Sequence, residues 1–174
     1  MERYFLILFC VVFSLSSCKK EETSRRGIVT INNNLVFDDN LQTPQGYGFL
    51  FSTASIVSIY DTPPPDITID TDGADLFFQA NNWLNSFYKA GDYPDEATAK
   101  QAFDNLTSPV VSQWQGLAVP LQANQLWIYQ SGSEHYTKIR IISLKSEDKP
   151  GRDYAECTFE WVYQPDGTLT FPGR

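Results

Sequence analysis

The sequence predicts a mainly β domain of the α+β kind, a twisted antiparallel sheet or sheets with one amphipathic helix packed on them. Three observations carry that expectation. Residues 125–163 hold three runs rich in β-branched and aromatic side chains, separated by turn chemistry at Ser131-Gly132-Ser133 and Pro150-Gly151. Along the last run Ala155, Cys157, Phe159, Trp161 and Tyr163 take every second position, with Glu156, Thr158 and Glu160 between them, the period of a strand with one buried and one wet face. Helical spacing is clearest at residues 95–106, and the rest of the chain reads as strand and turn.

Taken in order, residues 19–45 are rich in charge, Asn, Gln and Thr and read as a polar tether with one weak strand at residues 27–31, able to pair with the domain. The packed body is expected to begin near Gly46. Residues 47–60 have the composition of one long strand or a bent pair, and Pro63-Pro64-Pro65 ends it by removing three backbone donors. Asp66-Ile67-Thr68-Ile69-Asp70 alternates, Thr71-Asp72-Gly73 turns, and residues 74–80 return as the second arm of a hairpin. Pro94 suits the first helical position, and Asp95 and Glu96 suit the positive end of the helix dipole. Ala99, Ala102, Phe103 and Leu106 then form one apolar stripe, which Ser108-Pro109 stops. Residues 125–130, 136–144 and 154–163 make a meander, and Pro165-Asp166-Gly167 turns the chain toward a short closing strand, Leu169-Thr170-Phe171.

The first residues give an address. Residues 4–15 are mostly apolar behind Arg3 and fall short of the roughly 20 needed to cross a hydrocarbon core. They end at Leu15-Ser16-Ser17-Cys18, which resembles the bacterial lipobox, so residues 1–17 read as a signal peptide and Cys18 as the acylated first residue of the mature chain. Each buried acyl methylene contributes about 0.8 kcal/mol, and several chains on one sulfur hold a domain at the bilayer. An ordinary secreted protein and a retained membrane helix are the alternatives. Lys19-Lys20-Glu21-Glu22 resembles the export signal of Bacteroidota-type surface lipoproteins, with a plain solvated tether as the other reading. The expected location is the bacterial outer membrane, lipid-anchored and facing outward. The expected division is a signal peptide over 1–17, an acylated N-terminus and polar tether over 18–45, and a single β-rich domain over 46–174.

Composition narrows the functions. Once Cys18 is acylated and the signal removed, Cys157 has no partner, so no disulfide holds the domain. Residues 27–174 carry eight bases against eighteen acids, a net charge of −10, and no base lies between Arg26 and Lys89. Such a surface repels phosphate backbones, which argues against nucleic acid. His135 is the only histidine, and as a metal or haem ligand it would stand alone because the only methionine, Met1, leaves with the signal. No Gly-x-Ser-x-Gly elbow is present, and nothing selects a pair of acids for glycoside hydrolysis. The chain is therefore expected not to be an enzyme, a carboxylate-based hydrolase being the remaining catalytic alternative.

Asp66, Asp70, Asp72 and Asp75 fall within ten residues and offer oxygen ligands to calcium, Asp70, Asp72 and Asp75 being the weak candidates. Their spacing is not that of an EF-hand loop, and Asp70-Thr71-Asp72-Gly73 is also ordinary turn chemistry. The aromatic share of 14% leaves rings for a ligand face. Trp83, among Asn81, Asn82 and Asn85, is a candidate ligand contact, together with His135 and Tyr136 at the start of a strand.

Trp127-Ile128-Tyr129, the run from His135 through Lys138-Ile139-Arg140-Ile141-Ile142-Ser143, and Cys157-Thr158-Phe159-Glu160-Trp161-Val162-Tyr163 resemble the C-terminal half of the HmuY-like lipoproteins of Bacteroidota over about 40 residues. Phe49-Leu50-Phe51-Ser52 and Pro65-Asp66-Ile67 resemble that family's earlier strands less closely. The resemblance implies a β-rich lipoprotein on the cell surface or released from it, in a family where some members take up haem through a pair of axial side chains. That ligand pair is not matched: His135 stands alone, so bis-histidine or methionine ligation within one molecule is excluded, and no cofactor is assigned although haem stays open. The expected function is noncatalytic ligand or partner binding at the cell surface in acquisition of a nutrient, haem or another. The alternative is a glycan- or protein-binding accessory role in an uptake or adhesion assembly.

Metabolic labelling with a tagged fatty acid checks the address. Wild-type protein is expected to take up label and partition with membranes, and Cys18→Ala to lose both.

Overall fold

Alternating side chains and the turns between them give β1 (Arg25–Asn32), β2 (Val36–Asp38), β3 (Thr43–Gln45), β4 (Tyr47–Leu50), β5 (Ser55–Ser58), β6 (Ile67–Thr71), β7 (Leu76–Ala80), β8 (Phe87–Asp92), the helix α1 (Glu96–Asn105), β9 (Leu117–Ala118), β10 (Gln125–Gln130), β11 (Tyr136–Glu147) and β12 (Tyr154–Gln164). This is a computed structural model that describes residues 25–82 and 84–173. Two five-stranded antiparallel sheets form, in the orders β1-β12-β11-β10-β8 and β5-β4-β6-β7-β9, with β2 and β3 as a separate hairpin. The mainly β class with antiparallel sheets and one short helix is thus observed.

The expected meander is present as β10, β11 and β12. Residues 47–60 fold as the bent pair, with β4 and β5 joined by a tight turn. The hairpin expected from Asp66 forms as β6 and β7, and Gly73 takes φ +90° at its turn, where a side chain would be strained.

Four expectations are corrected. The packed body includes β1, ahead of the expected start near Gly46, because β1 pairs with β12 over eight residues and buries Ile31. Pro94 stands before the helix rather than in its first position, since Asp95 is the N-cap and its carboxylate accepts the Thr98 N–H at 2.8 Å. No strand forms at Leu169-Thr170-Phe171; this segment instead packs Phe171 beside the helix, its N–H donating to the Thr107 carbonyl at 2.8 Å. The face of β12 expected to be wet is partly dry, because α1 covers Glu160 and Val162.

The sheets face each other through an aromatic core. Phe159 of β12 lies edge-on to Phe49 of β4 and Phe78 of β7, at centroid distances of 6.0 and 5.3 Å, and Trp161 sits 5.3 Å from Phe49. Cys157 is buried in the same layer, where desolvation pushes its thiol above the usual range, so it acts as a small hydrophobe.

The outer face of the first sheet holds α1 through Ala99 and Phe103, packed with Leu126, Ile128, Val162 and Phe171. Two buried cations also lie there. Arg140 donates to Glu160 at 3.0 Å through Nε and again at 3.0 Å through Nη2, with both residues buried. Lys138, 1% exposed, donates from Nζ to the carbonyls of Phe103 at 2.7 Å and Leu106 at 3.0 Å. It thereby adds a donor at the helix end, where the Phe103 carbonyl also accepts the Leu106 N–H at 3.4 Å.

Burial lowers Lys138 from 10.5 to about 8. Between those values the folded chain binds fewer protons than the unfolded one, so this group's contribution to stability rises with pH from about 8 to 10.5 and is level below about 8. Denaturant melts across that window are expected to show the rise in wild type relative to Lys138→Met, which lacks the titrating group.

Candidate functional site

In antiparallel sheets alternate strand ends fall at the same edge, and here that edge gathers the end of β4, the starts of β6 and β8, the ends of β7, β10 and β12, and the start of β11. Their connections enclose a cleft of about 390 Å³, open on one side. Leu50, Pro63 and Pro64 give its lining apolar surface, and Asp66, Tyr129, His135 and Tyr163 bring polar atoms to it. The size falls within the range of small-molecule sites.

The polar groups come as two pairs. Tyr163 Oη and His135 Nδ1 are 2.7 Å apart. The Tyr129 hydroxyl donates to Asp66, 3.3 Å from both Oδ1 and the main-chain carbonyl. Asp66 Oδ2 accepts the Phe51 N–H at 2.8 Å, and the Asp66 N–H donates to the Phe49 carbonyl at 2.9 Å, so the carboxylate is fixed to the second sheet. Burial pushes the Asp66 carboxyl above its usual range, against the pull of those hydrogen bonds. Burial, reinforced by the Asp66 charge, pushes the Tyr129 phenol upward as well. Tyr129 and Tyr163 are both register partners of Thr137, so the three stand in one row on the same face. The buried Thr137 hydroxyl between them has no hydrogen-bond partner among the described residues.

Other side chains at the cleft build its frame. Asn81 Nδ2 donates to the Pro65 carbonyl at 2.9 Å, and Asn82 Nδ2 to the Gln130 carbonyl at 3.2 Å, tying the β7–β8 connection to both sheets. Ser131 Oγ accepts the His135 N–H at 3.1 Å, and Glu134 takes φ 58° in that hairpin loop, which sets the imidazole at the rim.

Of the residues expected from sequence, His135 lines this cleft. Tyr136 does not: it stacks on Trp114 at 6.3 Å under the helix, because the side chain opening a strand and its cross-strand neighbours there point away from the inter-sheet face. Trp83 and Cys18 lie outside the described residues. Asp70, Asp72 and Asp75 do not converge. Asp70 pairs with Arg152 at 2.8 Å and accepts from Asn33 at 2.8 Å, whereas Asp72 accepts the N–H groups of Ala74 and Asp75 in the turn. Among the described residues no three His, Cys, Asp or Glu side chains form a metal-holding group.

Tyr129 and Tyr163 are site residues that the sequence does not single out, and Asp66 is singled out there only as an oxygen ligand for calcium. The two tyrosines alternate with core positions and read as packing, and Asp66 reads as one of four clustered acids. The signal available was the strand register, which sets both tyrosines opposite Thr137 beside the sequence's one histidine.

The chain matches no family model, no curated protein and no solved structure.

Removing the Tyr163 hydroxyl as Tyr163→Phe is expected to cost about 1 kcal/mol of stability. It is also expected to move the nitrogen signals of the single imidazole, which ¹⁵N NMR reads directly.

Proposed function

We propose that this protein is a surface-anchored, noncatalytic lipoprotein that captures a ligand in the cleft at the end of its two sheets, with an architecture of the HmuY-like kind and a role in nutrient acquisition. The observation that carries this reading is the convergence of Asp66, Tyr129, His135 and Tyr163, from both sheets, on one open cavity also lined by Leu50 and three prolines. A few placed polar groups against an apolar wall is the usual composition of a small-molecule site. The cleft lining includes one carboxylate, Asp66, where glycoside hydrolysis needs two, and this supports binding over the hydrolase alternative.

Haem is the ligand to test first, since His135 stands at the rim with Nδ1 engaged by Tyr163. A glycan or protein partner in an uptake or adhesion assembly is the second reading, supported by the outward tether expected from the sequence. Titration of the mature protein with hemin is expected to shift the Soret band, and His135→Ala to weaken that shift at least about tenfold. An unchanged spectrum removes haem and leaves the cleft to another ligand.

A further inference from the structure

We propose that the ligand of this cleft presents a primary ammonium group, seated against Asp66, on an apolar body that meets the lining side chains of Leu50, Pro63 and Pro64. This rests on the cleft being the ligand site, and not on the ligand being haem.

Charge is unevenly matched around Asp66. Asp66 faces the cavity as a partly buried carboxylate whose hydrogen-bonding partners are neutral, the Phe51 N–H at 2.8 Å and the Tyr129 hydroxyl at 3.3 Å. Three other carboxylates held in the fold have a cation: Glu160 has Arg140, Asp104 has Lys100, and Asp70 has Arg152, whereas Asp38, away from this cleft, is held by neutral donors as Asp66 is. No lysine or arginine is among the described residues that line the cleft. Arg25 stands opposite Tyr163 in register, but it is exposed and outside that lining. A carboxylate taken partly out of water is costly, and the upward push on Asp66 reports that cost: burial outweighs the pull of its two hydrogen bonds and of the nearby His135 imidazole.

Three classes of ligand respond differently. An anion would enter a site with a carboxylate and no lysine or arginine in its lining. A neutral ligand would displace water and deepen the burial of Asp66 without compensating it. An ammonium supplies the missing charge, and its N–H donors find acceptors in the Asp66 carboxylate and the phenol oxygens beside it. A quaternary ammonium has no N–H to offer. A bare metal ion fits poorly, because the cleft brings one carboxylate and one imidazole and no third such donor. The net charge of −10 over residues 27–174 adds a field that concentrates cations near the surface.

The single histidine of the chain stands in the cleft wall, so one pair of imidazole C–H signals reports occupancy. The test titrates the detergent-solubilised full chain at neutral pH with three probes of one shape: 2-phenylethylamine, 2-phenylethanol and 3-phenylpropionate. The amine is expected to move the His135 signals saturably, at least about tenfold more tightly than the alcohol, with the carboxylate weakest. Asp66→Asn, which keeps an oxygen for the Phe51 N–H, is expected to bring amine and alcohol within about twofold. Should that variant not fold, the order of the probes on the wild type decides. An alcohol or carboxylate that binds as tightly as the amine overturns the ammonium assignment and leaves the cleft as a ligand site. Silence toward all three with hemin still bound there does the same. Silence toward all three and hemin together removes both the assignment and the reading on which it rests.

Discussion

The register of β12 is the constraint on which the rest depends. This strand pairs along its length with β11 on one side and β1 on the other, so every second residue has a fixed destination. Ala155, Cys157, Phe159, Trp161 and Tyr163 enter the inter-sheet core, and Glu160 and Val162 go under the helix. A slip of one residue would place Glu160 among the core rings and Phe159 beside Arg140, exchanging the environments of both faces at once. The same register brings Tyr163 to the end of the sheet where His135 meets it.

The outer face shows how a β protein keeps charge beneath a helix. Lys138, Arg140 and Glu160 are 1%, 3% and 4% exposed, and each would be expensive there alone. Arg140 and Glu160 neutralise each other, and Lys138 is turned toward the end of α1. That helix carries no basic residue in its last turn, so the complement to its negative end comes from a neighbouring strand. The arrangement fixes both the position and the axial register of the helix, because Lys138 reaches the carbonyls of Phe103 and Leu106 from one fixed point on β11.

What the sequence made legible follows the range of the forces involved. The meander, the β6–β7 hairpin and α1 are written in local period and turn chemistry, and they appear within a few residues of where those signals place them. β1 was legible as a weak strand but not as part of the body, because its polar composition is that of an edge strand while its place is set by pairing with residues more than a hundred positions away. β8, from Phe87 to Asp92, mixes Lys89, Gly91 and two aromatic rings without a clear period and is defined by its neighbour β10. The burial of Glu160 needed its partner Arg140 to be known. His135 was legible as a site residue from rarity alone, whereas Tyr136, one residue on, had the right chemistry and the wrong face.

The connections that enclose the cleft hang on two sheets held together by packed rings, and those rings fix how Asp66 of one sheet stands against Tyr129 of the other. Phe51 shows the coupling: it is fully buried, its N–H holds the Asp66 carboxylate, and its ring lies 5.5 Å from Tyr129 on the opposite sheet. Moving one sheet against the other would shift Asp66 relative to Tyr129 and disturb the Phe51, Phe159 and Trp161 contacts at the same time. Close-packed interiors resist such shifts, so the placement of the Asp66 carboxylate beside Tyr129 is set by the fold itself. A preformed site spends little of its binding energy on ordering protein side chains. The position of the Asp66 carboxylate is therefore a standing property of the folded chain, and under the proposed function it is the feature by which a ligand would be selected.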